Sequence, residues 1–206
     1  MKITLPESIK DITLGQFQEF DVLCKKLEDN DIDEREFIKR KISMFSGVPY
    51  SQIDDVVQKD LEEVVVQIDK ALAQDSTFEK RFTMNGVEFG FVENLNDITS
   101  GEYFDLSNYG VDVETLNKLM AVLFRPVKKV DKHGNYKVEK YKGTGKYAEL
   151  MKQMPLNIVN GSLVFFCNLS KELRIYIQKF TEAERVKAEK QATTLKNGDG
   201  CQPSMN

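Results

Sequence analysis

Residues 113–141 read VETLNKLMAVLFRPVKKVDKHGNYKVEKY, and two kinds of secondary structure are expected to meet in this segment. Val113–Arg125 is apolar nearly all round the helix axis from Leu119 onward, which predicts a buried helix that Pro126 stops. Val127–Tyr141 predicts a basic β-hairpin, in which the loop Asp131–Asn135 lies between Val127–Val130 and Tyr136–Tyr141. Downstream, Pro155–Phe180 keeps helical spacing over several turns. The region Ile98–Phe180 is therefore expected to form the centre of the molecule.

Three helices are predicted before this region, after an extended lead-in over Met1–Ile12. Two of them begin with a capping pattern, Thr13 with Gln16 and Asp33 with Glu36, in which the first side chain accepts a backbone N–H bond of the first turn. The third helix covers about Lys59–Ala73.

A first hairpin is predicted at Asn85-Gly86, because this dipeptide between alternating apolar residues supplies the positive φ angles of a tight turn. A two-residue turn puts five apolar side chains on one face, which needs a helix or another strand to cover it. These are Phe82, Met84, Val87, Phe89 and Phe91. Lys2–Leu5 is a candidate for that other strand.

Two further helices are predicted on either side of the basic hairpin. Thr99 with Glu102 forms a third capping pattern, for a short helix that Gly110 ends. Gly143-Thr144-Gly145 leads into the other helix, over Lys146–Met154.

The predicted fold class is mostly α with two β-hairpins (α+β), in a single compact helical domain with a long C-terminal helix. The domain is expected to cover residues 1–192, followed by a flexible, glycine-rich and polar tail over residues 193–206. Its parts are an acidic helical part (1–75), the first hairpin (76–95), the central helices with the basic hairpin (98–180) and a projecting helix end (181–192).

Charge is distributed unevenly over the 206 residues, whose formal net charge is −4. Residues 1–75 carry 10 basic and 17 acidic side chains, a net charge of −7, and residues 125–152 carry 9 and 3, a net charge of +6. Two solvated faces and contact with an acidic partner are both consistent with this distribution.

The sequence shows no pattern typical of an enzyme or of a metal or cofactor site. The only histidine, His133, is expected in an exposed turn without a nucleophile beside it. Cys24, Cys167 and Cys201 have no metal-ligand spacing and are expected to be reduced, the first two of them buried. Lys142–Lys146 resembles a phosphate-binding loop but lacks its full spacing. No catalytic residue, cofactor or metal is therefore predicted.

Residues 154–170 carry no charge over 17 positions but include several polar side chains and Pro155, which favours a buried helix of a soluble protein over a membrane span.

Binding is the remaining kind of site. Positive charge mixed with aromatic side chains in the basic hairpin suits an acidic protein surface. Lysines on strands also protect a sheet edge from aggregation, and direct contact with DNA or RNA stays open. The candidate partner-binding residues are Lys128, Lys129, Tyr136, Lys137, Lys140, Tyr141, Lys142 and, on the projecting helix end, Arg185.

Two groups of segments together carry a family resemblance. The first group is VLFRP (122–126), GNY (134–136) and YKGT (141–144), and the second is KQMP (152–155) with LVFF (163–166), Leu169 and Leu173. This arrangement, covering about Ile98–Phe180, resembles virion-associated and tail-region proteins of tailed bacteriophages, in particular those from the structural modules of crAss-like phages of gut Bacteroidales.

The resemblance implies a non-enzymatic virion protein. One implied role is a cargo protein, stored in the capsid or tail in multiple copies and released at genome ejection; the other is a tail-assembly chaperone or another morphogenesis factor. The implied partners are portal, tail or capsid proteins, with a weak contact to packaged DNA left open and no membrane. The implied location is the virion, and the host cytoplasm during assembly.

Overall fold

The computed structural model describes residues 4–92, 98–110 and 112–167. The chain divides into two compact units, Met1–Leu163 and Val164–Asn206, and the elements below belong to the first unless stated. The helices are α1 (Leu14–Glu28), α2 (Glu34–Ser46), α3 (Gln58–Leu72), α4 (Ser100–Tyr109), α5 (Leu116–Leu123), α6 (Ala148–Met151) and α7 (residues 156–167, of which 164–167 belong to the second unit). The strands are β1 (Arg81–Met84), β2 (Val87–Phe91), β3 (Phe124–Val130) and β4 (Tyr136–Val138).

In the described part of the chain these strands form one antiparallel sheet in the order β1-β2-β3-β4. A mostly helical α+β class is therefore present, as the sequence predicts. The joining pair is β2 with β3, in the register Phe89↔Pro126, Gly90↔Arg125 and Phe91↔Phe124. This pairing, between strands more than thirty residues apart in the chain, supplies the strand that the apolar face of β2 needs.

The predicted helix over Val113–Arg125 is wrong at both ends. The α-helix starts at Leu116 after a 3-10 turn at Val113–Thr115, and it stops at Leu123 because the next residues pair with β2. Phe124 is extended and fully buried, and the ring of Pro126 disfavours a helical conformation for Arg125. The prediction that this helix is buried is confirmed, since seven of the eight residues of α5 are buried.

The predicted helix over Lys146–Met154 is shortened to α6. The residues after α6, which were predicted to continue the helix, bind α1 instead. The carbonyl oxygen of Lys152 accepts the N–H group of Gly15 at 2.7 Å, and that of Met154 accepts the N–H group of Leu14 at 2.8 Å. The first N–H groups of a helix lack partners within it, so this contact satisfies two of them. The lead-in to α1 also differs from the prediction, because it contains a 3-10 turn at Ile9–Asp11.

Aromatic side chains fill the centre of the sheet. The ring of Phe82 stacks on that of Phe89 with centroids 5.6 Å apart, and Phe124 meets Phe82 edge-on at 5.3 Å and Phe91 at 5.2 Å. Val87 does not join this cluster as expected and is 41% exposed, because β3 pairs only with Phe89–Phe91 of β2.

Some predictions fall on residues that the structure does not describe. The long helix is described only to residue 167, so its predicted continuation to Phe180 lies outside the described part. The same holds for the projecting end at 181–192, the tail at 193–206 and the first residues of the candidate strand Lys2–Leu5. Leu5 lies before the first turn and is not in a strand.

Candidate interaction surface

Five of the predicted partner-binding lysines lie exposed on or beside β3 and β4. We call Lys128, Lys129, Lys137, Lys140 and Lys142 together the basic strand surface. Two strands position them: Lys128 and Lys129 lie on β3, Lys137 lies on β4, and Lys140 and Lys142 follow β4. The loop between the strands is fixed by Asp131, whose carboxylate accepts backbone N–H bonds from His133 at 2.8 Å and Asn135 at 2.9 Å. The loop thus sets the register that places the lysines.

Positive charge on this surface is largely uncompensated. Lys129 lies directly opposite Lys137 in the sheet, and like charges in that position repel. Among the described residues, Lys128 has an acidic partner, Glu139, at the long distance of 3.9 Å, and the other four lysines form no ion pair. The surface can therefore accept negative charge without first breaking an internal pair.

Tyr136 belongs to the core and not to an interface, which corrects the prediction. It is 9% exposed, and its hydroxyl donates to the carbonyl oxygen of Phe91 at 2.7 Å. Its ring lies over Gly90, where any Cβ would come within 2.5 Å of the ring atom Cε2. The absence of a side chain at Gly90 is what admits the ring, so this pair could not be recognised from the local pattern of β4.

Tyr141 is half-buried and connects the end of the basic hairpin to α4. Its hydroxyl donates to the Asp105 carboxylate, and the guanidinium carbon of Arg125 lies 5.7 Å from the centre of its ring. Burial, and then the hydrogen bond to Asp105, raise the pKa of Tyr141. Tyr141 is therefore first a structural contact between two elements.

A buried ion pair holds α4 against β3, and the sequence did not reveal it. Nη2 of Arg125 lies 2.6 Å from Oε1 of Glu102, and both side chains are less than a tenth exposed. The other carboxylate oxygen of Glu102 accepts the N–H and hydroxyl of Thr99, both at 2.7 Å. The capping pattern identified Glu102 as a helix start, but the placement of Arg125 at a helix end hid its role.

A groove of about 660 Å³ lies between α4 and β4. Its lining includes Glu102 on the α4 side, Lys137 and Lys140 on the hairpin side, and Arg125 and Tyr141. The groove therefore brings the basic strand surface next to a helix that is distant in sequence.

His133 is exposed in the loop tip. In the described ranges, no three histidine, cysteine or acidic side chains lie close enough to hold a metal ion. Burial raises the pKa of the free Cys24 thiol, and both Cys24 and Cys167 are partly buried rather than fully buried as expected. None of the helices within these ranges combines the length and apolar character that crossing a membrane requires.

Arg185, the last predicted partner-binding residue, lies outside the described residues. Comparison of the chain with protein-family models, curated proteins and solved structures finds no match.

Proposed function

We propose that this chain is a non-enzymatic bacteriophage virion protein, stored as cargo in the capsid or tail in multiple copies and released at genome ejection. It docks on portal, tail or capsid proteins through the basic strand surface, with Arg185 as a further contact. It is present in the host cytoplasm during assembly. The proposal is supported by the family resemblance of the segments between Ile98 and Phe180, and by the charge on the surface formed there.

The segments that carry the resemblance include much of the core. Val122, Leu123 and Phe124 are at most 2% exposed, and Met154 is fully buried beneath the start of α1. Such buried residues serve packing, so the resemblance bears first on the fold and then on the surface that this fold presents.

The observation that carries the docking role is the pair Lys129 and Lys137. Two lysines facing each other across a strand pair cost stability, by roughly 0.2–1 kcal/mol for such cross-strand effects. An acidic partner surface relieves this repulsion, and charge complementarity accelerates association and selects partners. A function in binding gives the repulsive pair a physical reason.

The protein composition of purified phage particles distinguishes a packaged protein from an assembly factor. Mass spectrometry of purified particles, from the phage that encodes this chain, is expected to detect its peptides in multiple copies per particle. Peptides found in infected-cell lysate and absent from particles would reject the cargo role and favour the tail-assembly chaperone.

A charge variant tests the surface in the same particles. The triple substitution Lys129→Gln, Lys137→Gln and Lys140→Gln is expected to lower the packaged amount. The matched control is Lys26→Gln with Lys70→Gln, which removes exposed lysines from α1 and α3. Equal packaging of the triple variant and the control would show that these lysines do not dock.

Nucleic-acid association is the second candidate, since the same lysines could contact phosphates. Binding of that kind weakens steeply with added salt, because about one counterion is released from the nucleic acid for each phosphate that the protein contacts. We expect no duplex or single-stranded DNA binding by the purified chain at moderate salt, because its net charge is −4 and its pI is about 5.3. A steep salt dependence that the triple variant abolishes would instead support the nucleic-acid role.

A further inference from the structure

Helix α4 is unusual in what it buries. Only Glu102 and Leu106 are buried along its ten residues, whereas Tyr103 and Phe104 are 61% and 62% exposed. The two exposed rings touch edge-on, with centroids 6.2 Å apart. Large neighbouring aromatic side chains on a surface are typical of a binding site, because aromatic residues dominate the energetic centres of interfaces.

The segment that follows β4 packs against this helix through Tyr141. The ring of Tyr141 lies 3.9 Å from the position that a Cβ on Gly101 would take, and its hydroxyl binds Asp105. Phe104 is three residues from Gly101, hence on the neighbouring part of the same helix face. Lys140 and Lys142 flank Tyr141 in the chain, so two positive charges lie on the segment that packs against the part of α4 next to Phe104.

We propose that Tyr103 and Phe104 of α4, together with Lys140 and Lys142, form the docking surface for a partner protein that presents apolar side chains surrounded by carboxylates. The aromatic anchors of the basic surface are thus supplied by α4, whereas Tyr136 and Tyr141 of the hairpin are committed to internal hydrogen bonds. This inference rests on the proposed docking role and names the class of partner for it.

Charge complementarity identifies the occupant. In the described part of the chain Lys140 and Lys142 form no ion pair, and Arg125 compensates the charge of Glu102 of α4. The hydroxyl of Tyr141 donates to Asp105 without compensating its charge. Two lysines beside one such carboxylate leave a net positive charge. The local surface is therefore basic around an aromatic centre, and its complement is acidic around an apolar centre.

A protein fits this surface better than a nucleic acid does. The planes of Tyr103 and Phe104 are inclined by 68°, so the two rings do not form a parallel platform on which successive bases would stack.

The test uses the full chain and defined probes. The first probe is a fluorescein-labelled glutamate-rich peptide with two central leucines. Two control peptides replace either the leucines by serine or the glutamates by lysine. The fourth probe is a single-stranded oligonucleotide. Fluorescence anisotropy is expected to show binding of the first peptide alone, weakened moderately by salt. Tyr103→Ser with Phe104→Ser is expected to weaken it about tenfold or more, as loss of an interface centre does. Lys140→Gln with Lys142→Gln is expected to weaken it less and to reduce its salt dependence.

The matched control is Val57→Ser with Val66→Ser, which removes exposed apolar side chains beside and on α3. It is expected to bind as the parent chain does. Unfolding curves of all three double variants are expected to match that of the parent chain and so to establish that each is folded, since surface changes alter stability little.

The contrary results are distinct. Four results would each overturn the proposed acidic partner. Two concern the first peptide: no binding to the parent chain, or equal binding to the aromatic variant and the control. The other two are tighter binding of the oligonucleotide and self-association of the chain that the aromatic variant abolishes. Failure of the virion role is recognised separately, by absence of the chain from purified particles. A chain present in particles, and packaged equally with Phe104→Ser and Tyr103→Ser, would overturn this inference alone.

Discussion

At the scale of single residues, two contacts between positions far apart in the chain hold elements of this fold together. Gly90 of β2 lies beneath the ring of Tyr136, which its hydroxyl bond to Phe91 holds in place. Glu102 and Arg125 form the buried pair that attaches α4 to β3. In both cases the effect of the residue comes from a neighbour that is more than twenty positions away.

Gly90→Ala is expected to lower the free energy of unfolding by about 1–3 kcal/mol, the usual cost of overpacking. The new Cβ would lie 2.5 Å from Cε2 and 2.9 Å from Cδ2 of Tyr136, and 3.1 Å from Cγ2 of Val127. Urea denaturation measures the loss. The control is Gly145→Ala, where no atom lies within 4 Å of the new Cβ, and its effect should stay within about 0.5 kcal/mol. Equal effects of the two substitutions would contradict the close contact.

Arg125→Met is expected to cost about 3–5 kcal/mol, because it leaves the carboxylate of Glu102 buried without its cation. The double variant Glu102→Gln with Arg125→Met should lose less than the two single variants together, since it no longer buries an unpaired charge. A double-mutant cycle from urea denaturation checks this. Additive losses would mean that the two side chains, 2.6 Å apart, do not interact energetically.

At the scale of elements, helix starts were predicted better than helix ends. Thr13 and Gln16 exchange the expected capping bonds, and so do Thr99 and Glu102. Asp33 caps α2, although Glu36 binds Arg40 instead of returning to the cap. A cap is a contact over three residues and is visible in the sequence. By contrast, α5 and α6 end where the residues that follow them form backbone hydrogen bonds with a distant element.

The end of β4 is attached to the start of α6 by Glu139. Its carboxylate accepts the hydroxyl of Tyr147 at 2.6 Å and Nζ of Lys146 at 3.2 Å, and these bonds lower the pKa of Glu139. A folded-state pKa below the unfolded value means that the contribution to stability is present above the unfolded pKa and is lost as the pH falls through the folded pKa.

Glu139→Gln is therefore expected to be less stable than the parent chain at neutral pH, with a difference that shrinks as acid protonates the parent carboxylate. Urea denaturation at a series of pH values from neutral to acid measures it. The control at neutral pH is Glu149→Gln, whose side chain is 80% exposed and pairs with Lys152, and it should cost at most about 1 kcal/mol. A difference that grows in acid would refute the role of the ionised carboxylate.

For the molecule as a whole, α5 is the central element of the first unit. It contacts α1, α4 and α6 and continues directly into β3. Leu119, Met120 and Leu123 on it are fully buried. The basic strand surface is placed by this arrangement, because β3 starts where α5 ends.

Amide hydrogen exchange should show that α5 is more stable against local unfolding than α4. The amides of α5 are expected to exchange most slowly, through global unfolding, and those of α4 faster, because α4 buries only Glu102 and Leu106. Mass spectrometry of peptic fragments measures both. Exchange of α5 as fast as that of α4 would contradict the central place of α5.

The lysines and aromatic residues of the candidate surface were predictable to different degrees. Exposed lysines on alternating strands follow from the pattern alone, and those of the basic strand surface are exposed. Tyr136 was misjudged because the space for its ring is supplied by Gly90 on another strand. Tyr103 and Phe104 were expected only as part of a short helix, since no sequence pattern says which face of α4 stays uncovered.

The sequence by itself determined the α+β class, the helix caps, the tight turn at Asn85-Gly86 and the burial of α5, because each depends on hydrogen bonds or periodicity within a few residues. Only the tertiary structure decided that Phe124 and Arg125 are extended, that β2 pairs with β3, and that the segment after β4 contacts α4 through Tyr141. These features need partners far apart in the chain, and the free energy of burying them together outweighs local preference.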